Sequence, residues 1–162
     1  MPDTPTAAVL TVSDTGSQGA RVDTAGPAVV SLLEEAGFEV VERALLPDEP
    51  EQISTQLRRW ADEDGVALAV TTGGTGLSPR DRTPEATAAV IAYRVDGMAE
   101  AMRAAGLDST PMAMLSRGLV GVRGQTLIVN LPGSERGARE NLTTVLPVLR
   151  HAVEELRGEA TH

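Results

Sequence analysis

The chain has 162 residues, the length of one ordinary domain, and its 41% apolar content is enough for a core. It carries a formal charge of −9, no cysteine and no lysine, and only two histidines, His151 and His162. These counts exclude disulfides, thiolate metal sites, the lysine-bearing P-loop and Schiff-base chemistry, and they argue against nonspecific nucleic-acid binding and a Ser-His-Asp triad.

"AAVLTVS" (7–13) reads as a short strand, followed by the polar loop "DTGSQGARVDT". Residues 25–36 carry apolar residues at helical spacing and stop at Gly37. Residues 38–46 alternate and read as a second strand, closed by "PDEP". Residues 51–64 form an amphipathic helix with Ile53, Leu57 and Trp60 on one face. Residues 66–72, apolar throughout, read as a third strand covered on both faces. "TPEATAAVIAY" opens a helix, with Thr83 as its N-cap, Pro84 in the first position and Glu85 in the first turn. "GMAEAMRAAGL" is a second short helix, "MLSRG" (114–118) and "RG" (123–124) fall in a glycine-dotted loop, and residues 125–134 hold another strand. The last helix, 135–157, lines up Leu142, Val145, Leu149, Val153 and Leu156.

Strands alternating with helices predict a three-layer α/β/α domain with a mostly parallel sheet. No apolar run is long enough to span a membrane, and the N-terminus lacks a signal-peptide pattern, so the expected location is the cytoplasm.

Ligands of such sheets bind beyond the carboxyl ends of the strands. The loops "SDTGSQG", "LPDE", "GGTGLSPRD" and "NLPGS" all leave strands at that end and are expected to converge. Ser13 and Thr15 either hold a phosphate or close a turn. Gly73, Gly74 and Gly76 alone signify a turn; with Arg80 and Asp81 ahead of a helix, the stretch also suits an anion and a cation. Asp81 either complements the helix dipole or, with Asp48 on the same rim, holds a magnesium ion that bridges phosphates. Ser116, Arg117 and Arg123 are either substrate contacts or surface arginines and a turn serine, and Asn130 and Ser134 either read a ligand or shape the turn and cap the last helix. His151 reads as a solvated helix residue.

In order, "LTVSDT", "LLPDE", "TTGGTGLSPRDRTPEA", "MLSRG", "GVRG" and "NLPGS" resemble the MoaB/Mog family of molybdenum-cofactor biosynthesis proteins over residues 6–157. The resemblance implies one molybdopterin-binding domain over 1–162, assembled as a homotrimer, that transfers AMP from Mg-ATP to molybdopterin and releases pyrophosphate. It implies that Asp48 and Asp81 are essential, and that Gly73, Gly74, Thr75, Gly76 and the loop of Ser13, Asp14 and Thr15 cradle nucleotide or phosphate. Ser116 and the segment Asn130, Leu131, Pro132, Gly133 are implied ligand contacts. Arg80 is expected to steady a phosphate, and a downstream molybdenum insertase is an expected partner. A molybdopterin carrier without turnover and a nucleotide-pyrophosphate hydrolase on the same fold are the alternatives.

Overall fold

Six strands form one sheet, in the order β2-β1-β3-β6-β5-β4, in the computed structural model, which describes residues 3–160. The strands are β1 (Thr6–Val12), β2 (Glu39–Leu46), β3 (Leu68–Thr72), β4 (Tyr93–Arg94), β5 (Val120–Arg123) and β6 (Thr126–Leu131). The helices are α1 (Asp14–Ser17), α2 (Ala25–Glu35), α3 (Pro50–Arg58), α4 (Thr83–Ala88), α5 (Asp96–Gly106) and α6 (Glu135–Leu156). β2, β1, β3 and β6 run parallel, while β5 pairs antiparallel with β6 and β4 antiparallel with β5.

Side-chain alternation along β1 divides the core in two. Ala7 and Val9 pack with Val29 and Leu33 of α2 and with Leu142, Val145 and Leu149 of α6. Ala8, Leu10 and Val12 face Ile53 and Leu57 of α3 and Trp60 in the π-helical turn Arg59–Glu63 that follows it. Those three residues recur at i, i+4 and i+7, which puts them on one face, and all three are fully buried. β3 is covered on both sides and lacks alternation, whereas β2, at the edge, alternates exposed and half-buried residues. Gly37 ends the α2 segment at φ +93, a conformation that carries little cost only for glycine.

Two expectations need correction. The stretch after residue 114 is not only loop: Val120–Arg123 forms β5, a hairpin partner of β6, and Tyr93–Arg94 adds β4. The helix after the glycine loop is short, Thr83–Ala88, and its N-cap is Arg82; Thr83 lies inside the first turn and makes no capping hydrogen bond. His151 is exposed on α6, as expected, while His162 lies outside the described residues.

Strand order reverses between β1 and β3, because β2 lies on one side of β1 while β3 and β6 continue on the other. The loops that leave β1 and β3 therefore splay apart and open a crevice at the carboxyl ends.

Candidate functional site at the carboxyl edge of the sheet

A cavity of about 490 Å³ fills this crevice. The loop after β1 lines it with Ser13, Asp14 and Thr15, the loop after β2 with Asp48, the loop after β3 with Gly73, Gly74, Arg80 and Asp81, and the loop after β6 with Gly133 and Ser134. Ser13 and Ser134 have a second use as helix caps: their hydroxyls accept from Gly16 N–H and Gly137 N–H, each at 3.0 Å.

An ion-pair network holds three of these loops together. Arg80 Nε and Nη2 donate to the two carboxylate oxygens of Asp14 at 2.9 Å each, and Nη2 also reaches Glu49 at 2.9 Å. Asp14 and Asp48 exchange backbone contacts: Asp14 N–H donates to Asp48 Oδ2 at 3.1 Å, and Asp48 N–H to Asp14 Oδ1 at 2.9 Å. The guanidinium of Arg80, with the Asp48 N–H, holds the Asp14 carboxyl down at about 2. Asp48 moves the other way: burial pushes its carboxyl up, and the neighbouring charges of Asp14 and Asp81 add to the push.

The glycine loop is pressed into place by its neighbours. Gly73 sits at φ +106, and a Cβ there would fall on the Val12 carbonyl oxygen. Gly73 N–H donates to Leu131 O at 3.0 Å, and Gly133 lies against Gly73 Cα. From the far side Arg117 ties the loop down. Its N–H donates to Thr75 O at 2.8 Å, its Nε to Gly76 O at 2.9 Å and its Nη2 to Asp81 O at 2.8 Å, while Glu85 pairs with Nη1 at 2.5 Å. The guanidinium is thus spent on backbone carbonyls and a carboxylate. Arg123 is likewise engaged, by Asp62 and Val90 O.

A second cavity, also about 490 Å³, adjoins the first. Thr75, Gly76, Ser116 and Pro132 line it, together with Leu77, Met112 and Leu115. Gly74, Asp81, Gly133 and Ser134 line both cavities, so the glycine loop and Asp81 form the wall between a polar chamber and a more apolar one. Asn130 lines neither. Its amide is buried, donates to Thr71 Oγ1 and Thr87 Oγ1 at 3.0 Å each, and accepts from Leu119 N–H at 3.2 Å. The Asn130 amide thereby fastens β6 to its neighbours.

Sequence reasoning missed Thr11 and Asp23, which line the first cavity and bond to each other at 2.7 Å, and missed Met112 and Leu115 in the second. The signal for Asp23 was its place at the end of the polar loop ahead of α2; nothing local marks the methionine.

Among the described residues, no three of His, Cys, Asp and Glu gather to hold a metal ion by themselves. Asp48 and Asp81 both line the first cavity, and two carboxylates together with substrate oxygens are a donor set that magnesium accepts.

Residues 8–151 match the family model described as "Probable molybdopterin binding domain". The chain belongs to that family. It is 39% identical over 152 residues to a molybdopterin adenylyltransferase of Helicobacter pylori, covering 93% of this chain and 86% of that protein. It is 43% identical over 155 residues to a gephyrin of Dictyostelium discoideum, covering 90% of this chain. The chain spans only 21% to 49% of the length of the first curated relatives it matches. The solved structure of the molybdopterin biosynthesis enzyme MoaB of Thermus thermophilus superposes with a TM-score of 0.91 at 54% identity, covering 96% of this chain and 98% of that one. No helix among the described residues is long and apolar enough to cross a membrane.

Proposed function

We propose that this protein is a molybdopterin adenylyltransferase that joins AMP from Mg-ATP to the terminal phosphate of molybdopterin and releases pyrophosphate. The observation that carries the reading is the shared wall: two adjoining cavities, each about 490 Å³, meet at Gly74 and Asp81. That geometry suits two ligands joined at one point. An oxygen of the pterin phosphate attacks the α-phosphorus, the bond to pyrophosphate breaks, and both polyanions must be positioned and neutralised more than covalently activated.

Each part of the wall has a task in this reading. Ser13, Thr15 and the amides of Gly73 to Gly76 bind phosphate oxygens. Arg80, with its fixed fork of donors, leaves Asp14 and Glu49 to meet a phosphate. Asp48 and Asp81 are the residues that would hold magnesium, which neutralises phosphate charge when bound. Arg117 keeps Asp81 and the loop in register while touching neither ligand. Ser116 and Pro132, in the second cavity, contact the pterin-bearing partner.

The protein works in the cytoplasm in this reading, as a homotrimer, and passes its product to a molybdenum insertase. The apolar side chains exposed at Met112, Met114 and Leu115 supply surface for assembly, and sedimentation velocity reads the state. The matched region also occurs inside much longer cofactor-biosynthesis proteins, which supports the handover.

The deciding experiment is incubation of the purified chain with molybdopterin and Mg-ATP, followed by mass analysis. Adenylylated pterin with pyrophosphate is the expected product, lost in Asp48→Asn and Asp81→Asn. Pterin bound without product would make the protein a carrier, and ATP consumed without pterin would make it a hydrolase.

A further inference from the structure

Charge divides the two cavities. Arg21 and Arg80 line the first, whereas among the described residues no arginine or histidine lines the second. The charged side chains of the second cavity are two carboxylates, Asp81 and Glu140. Asp81 stands on the shared wall, and Glu140 lines the second cavity alone. From this placement we infer that Glu140 recognises the pterin ring, its carboxylate accepting hydrogen bonds from the 2-amino group and N3–H of the pyrimidinone edge. The inference rests on the reading above that the second cavity takes the pterin.

A chamber with anionic and no cationic side chains repels phosphate and suits a neutral ring that presents hydrogen-bond donors. The phosphate of the pterin therefore stays at the wall and the ring points inward. There Leu77, Met112 and Leu115 offer apolar surface to its faces. A 2-amino-4-oxo edge carries two adjacent N–H donors, and an ionised carboxylate carries two oxygens that only accept. Other polar groups of the cavity are already engaged: Thr110 Oγ1 accepts from Met112 N–H at 3.2 Å, and the Asn141 amide donates to Gly137 O at 2.9 Å.

Helix α6 sets the distance. Its cap, Ser134, lines both cavities, and Glu140 comes six residues later, about 9 Å along the axis. Gly137, Glu140 and Asn141 line the second cavity at i, i+3 and i+4, the spacing of one helix face. Glu140 thus stands well inside the second cavity, away from the wall where the phosphates meet. One turn before it, Arg136 donates from Nε to Glu140 Oε1 at 3.0 Å. That guanidinium, with the Ser109 side chain, holds the Glu140 carboxyl below the usual carboxylate range. A carboxylate has about four acceptor positions, so an oriented, ionised Glu140 keeps capacity for a ligand.

The test uses the full chain and has a readout that does not need turnover. Binding of molybdopterin without ATP, followed by pterin fluorescence, is expected to weaken by about 10-fold to 100-fold in Glu140→Gln, the loss typical of a hydrogen bond to a charged group. In the adenylylation assay KM for molybdopterin is expected to rise by the same factor, with kcat and KM for ATP nearly unchanged. Competition reads the edge itself. Pterin is expected to displace molybdopterin from the wild type better than lumazine, in which a carbonyl replaces the 2-amino group, and Glu140→Gln is expected to lose that preference. Wild-type affinity in a folded Glu140→Gln, or equal effects of pterin and lumazine on the wild type, overturns the inference. The two claims fail separately. If the wild type binds molybdopterin through Glu140 and forms no product, the adenylyltransferase reading falls and the pterin contact stands; if product forms and Glu140→Gln binds as the wild type does, only the role of Glu140 falls.

Discussion

Replacing Gly73 by alanine tests whether the glycine loop is held by steric contact with β1. At φ +106 an L-residue carries a backbone cost of about 1–2 kcal/mol. The new Cβ would also land on the Val12 carbonyl oxygen and 3.2 Å from its carbon, against backbone that cannot swing aside. Ser13 N–H, just beyond, donates to Leu46 O at 2.9 Å, and Gly73 N–H itself donates to Leu131 O at 3.0 Å. Overpacking of this kind costs about 1–3 kcal/mol, for a sum of about 2–5 kcal/mol. At this chain length each kcal/mol moves the midpoint by about 2–4 °C, so the melting temperature is expected to fall by roughly 10 °C. Gly19→Ala is the control: Gly19 has φ +74 with nothing within 4 Å of its would-be Cβ, so it bears the backbone cost alone. Calorimetry of the two variants isolates the clash. Equal shifts in both would refute the steric argument.

Further outcomes follow from the charges and the buried amide. Asp48 has its carboxyl pushed up, so folding favours its protonated form and stability is lost as pH rises past the usual 3.8; Asp48→Asn is therefore expected to melt higher than wild type at neutral pH and to lose that advantage in acid. A lower neutral-pH melting point for the variant would contradict this. Asp14, held down at about 2, has the opposite sign: its contribution is complete above 3.8 and disappears as pH falls toward 2, so Asp14→Asn is expected to flatten the acid limb followed by Trp60 fluorescence. Arg117→Ala strips the donors from Gly76 O and Asp81 O and is expected to cost about 1–3 kcal/mol in urea unfolding, with no rescue by lysine, which lacks the fork. Asn130→Leu leaves Thr71, Thr87 and Leu119 N–H short of a partner and is expected to cost about 2–5 kcal/mol with KM unmoved; a raised KM would return Asn130 to the ligands.

Local pattern carried the frame of this fold. The face of Ile53, Leu57 and Trp60, the continuous run of β3 and the stop at Gly37 are short-range signals, and each element formed near its expected bounds. The gathering of four loops followed from parallel topology. β5 escaped notice because its four residues show no alternation and include Gly121, whose missing side chain makes room for Ile91. Thr83 looked like a cap because Thr-Pro-Glu is a common helix opening, but the chain turns in one residue earlier. Roles that depend on distant partners were illegible. Arg117 meets residues 32 to 42 positions away, and Asn130 meets hydroxyls 43 and 59 positions away. In sequence both resemble ligand contacts, since a buried amide and an arginine among glycines carry no mark of what they will face.

The parallel order of the central strands also governs when the site comes into being. Ala7 pairs with Leu68 and Leu68 with Leu127, so each central pairing closes a long loop and is slow to form. Ser13, Asp48, Gly73 and Gly133 meet only after all of these pairings exist. During refolding, the first cavity is therefore expected to form in a single late phase together with burial of Trp60.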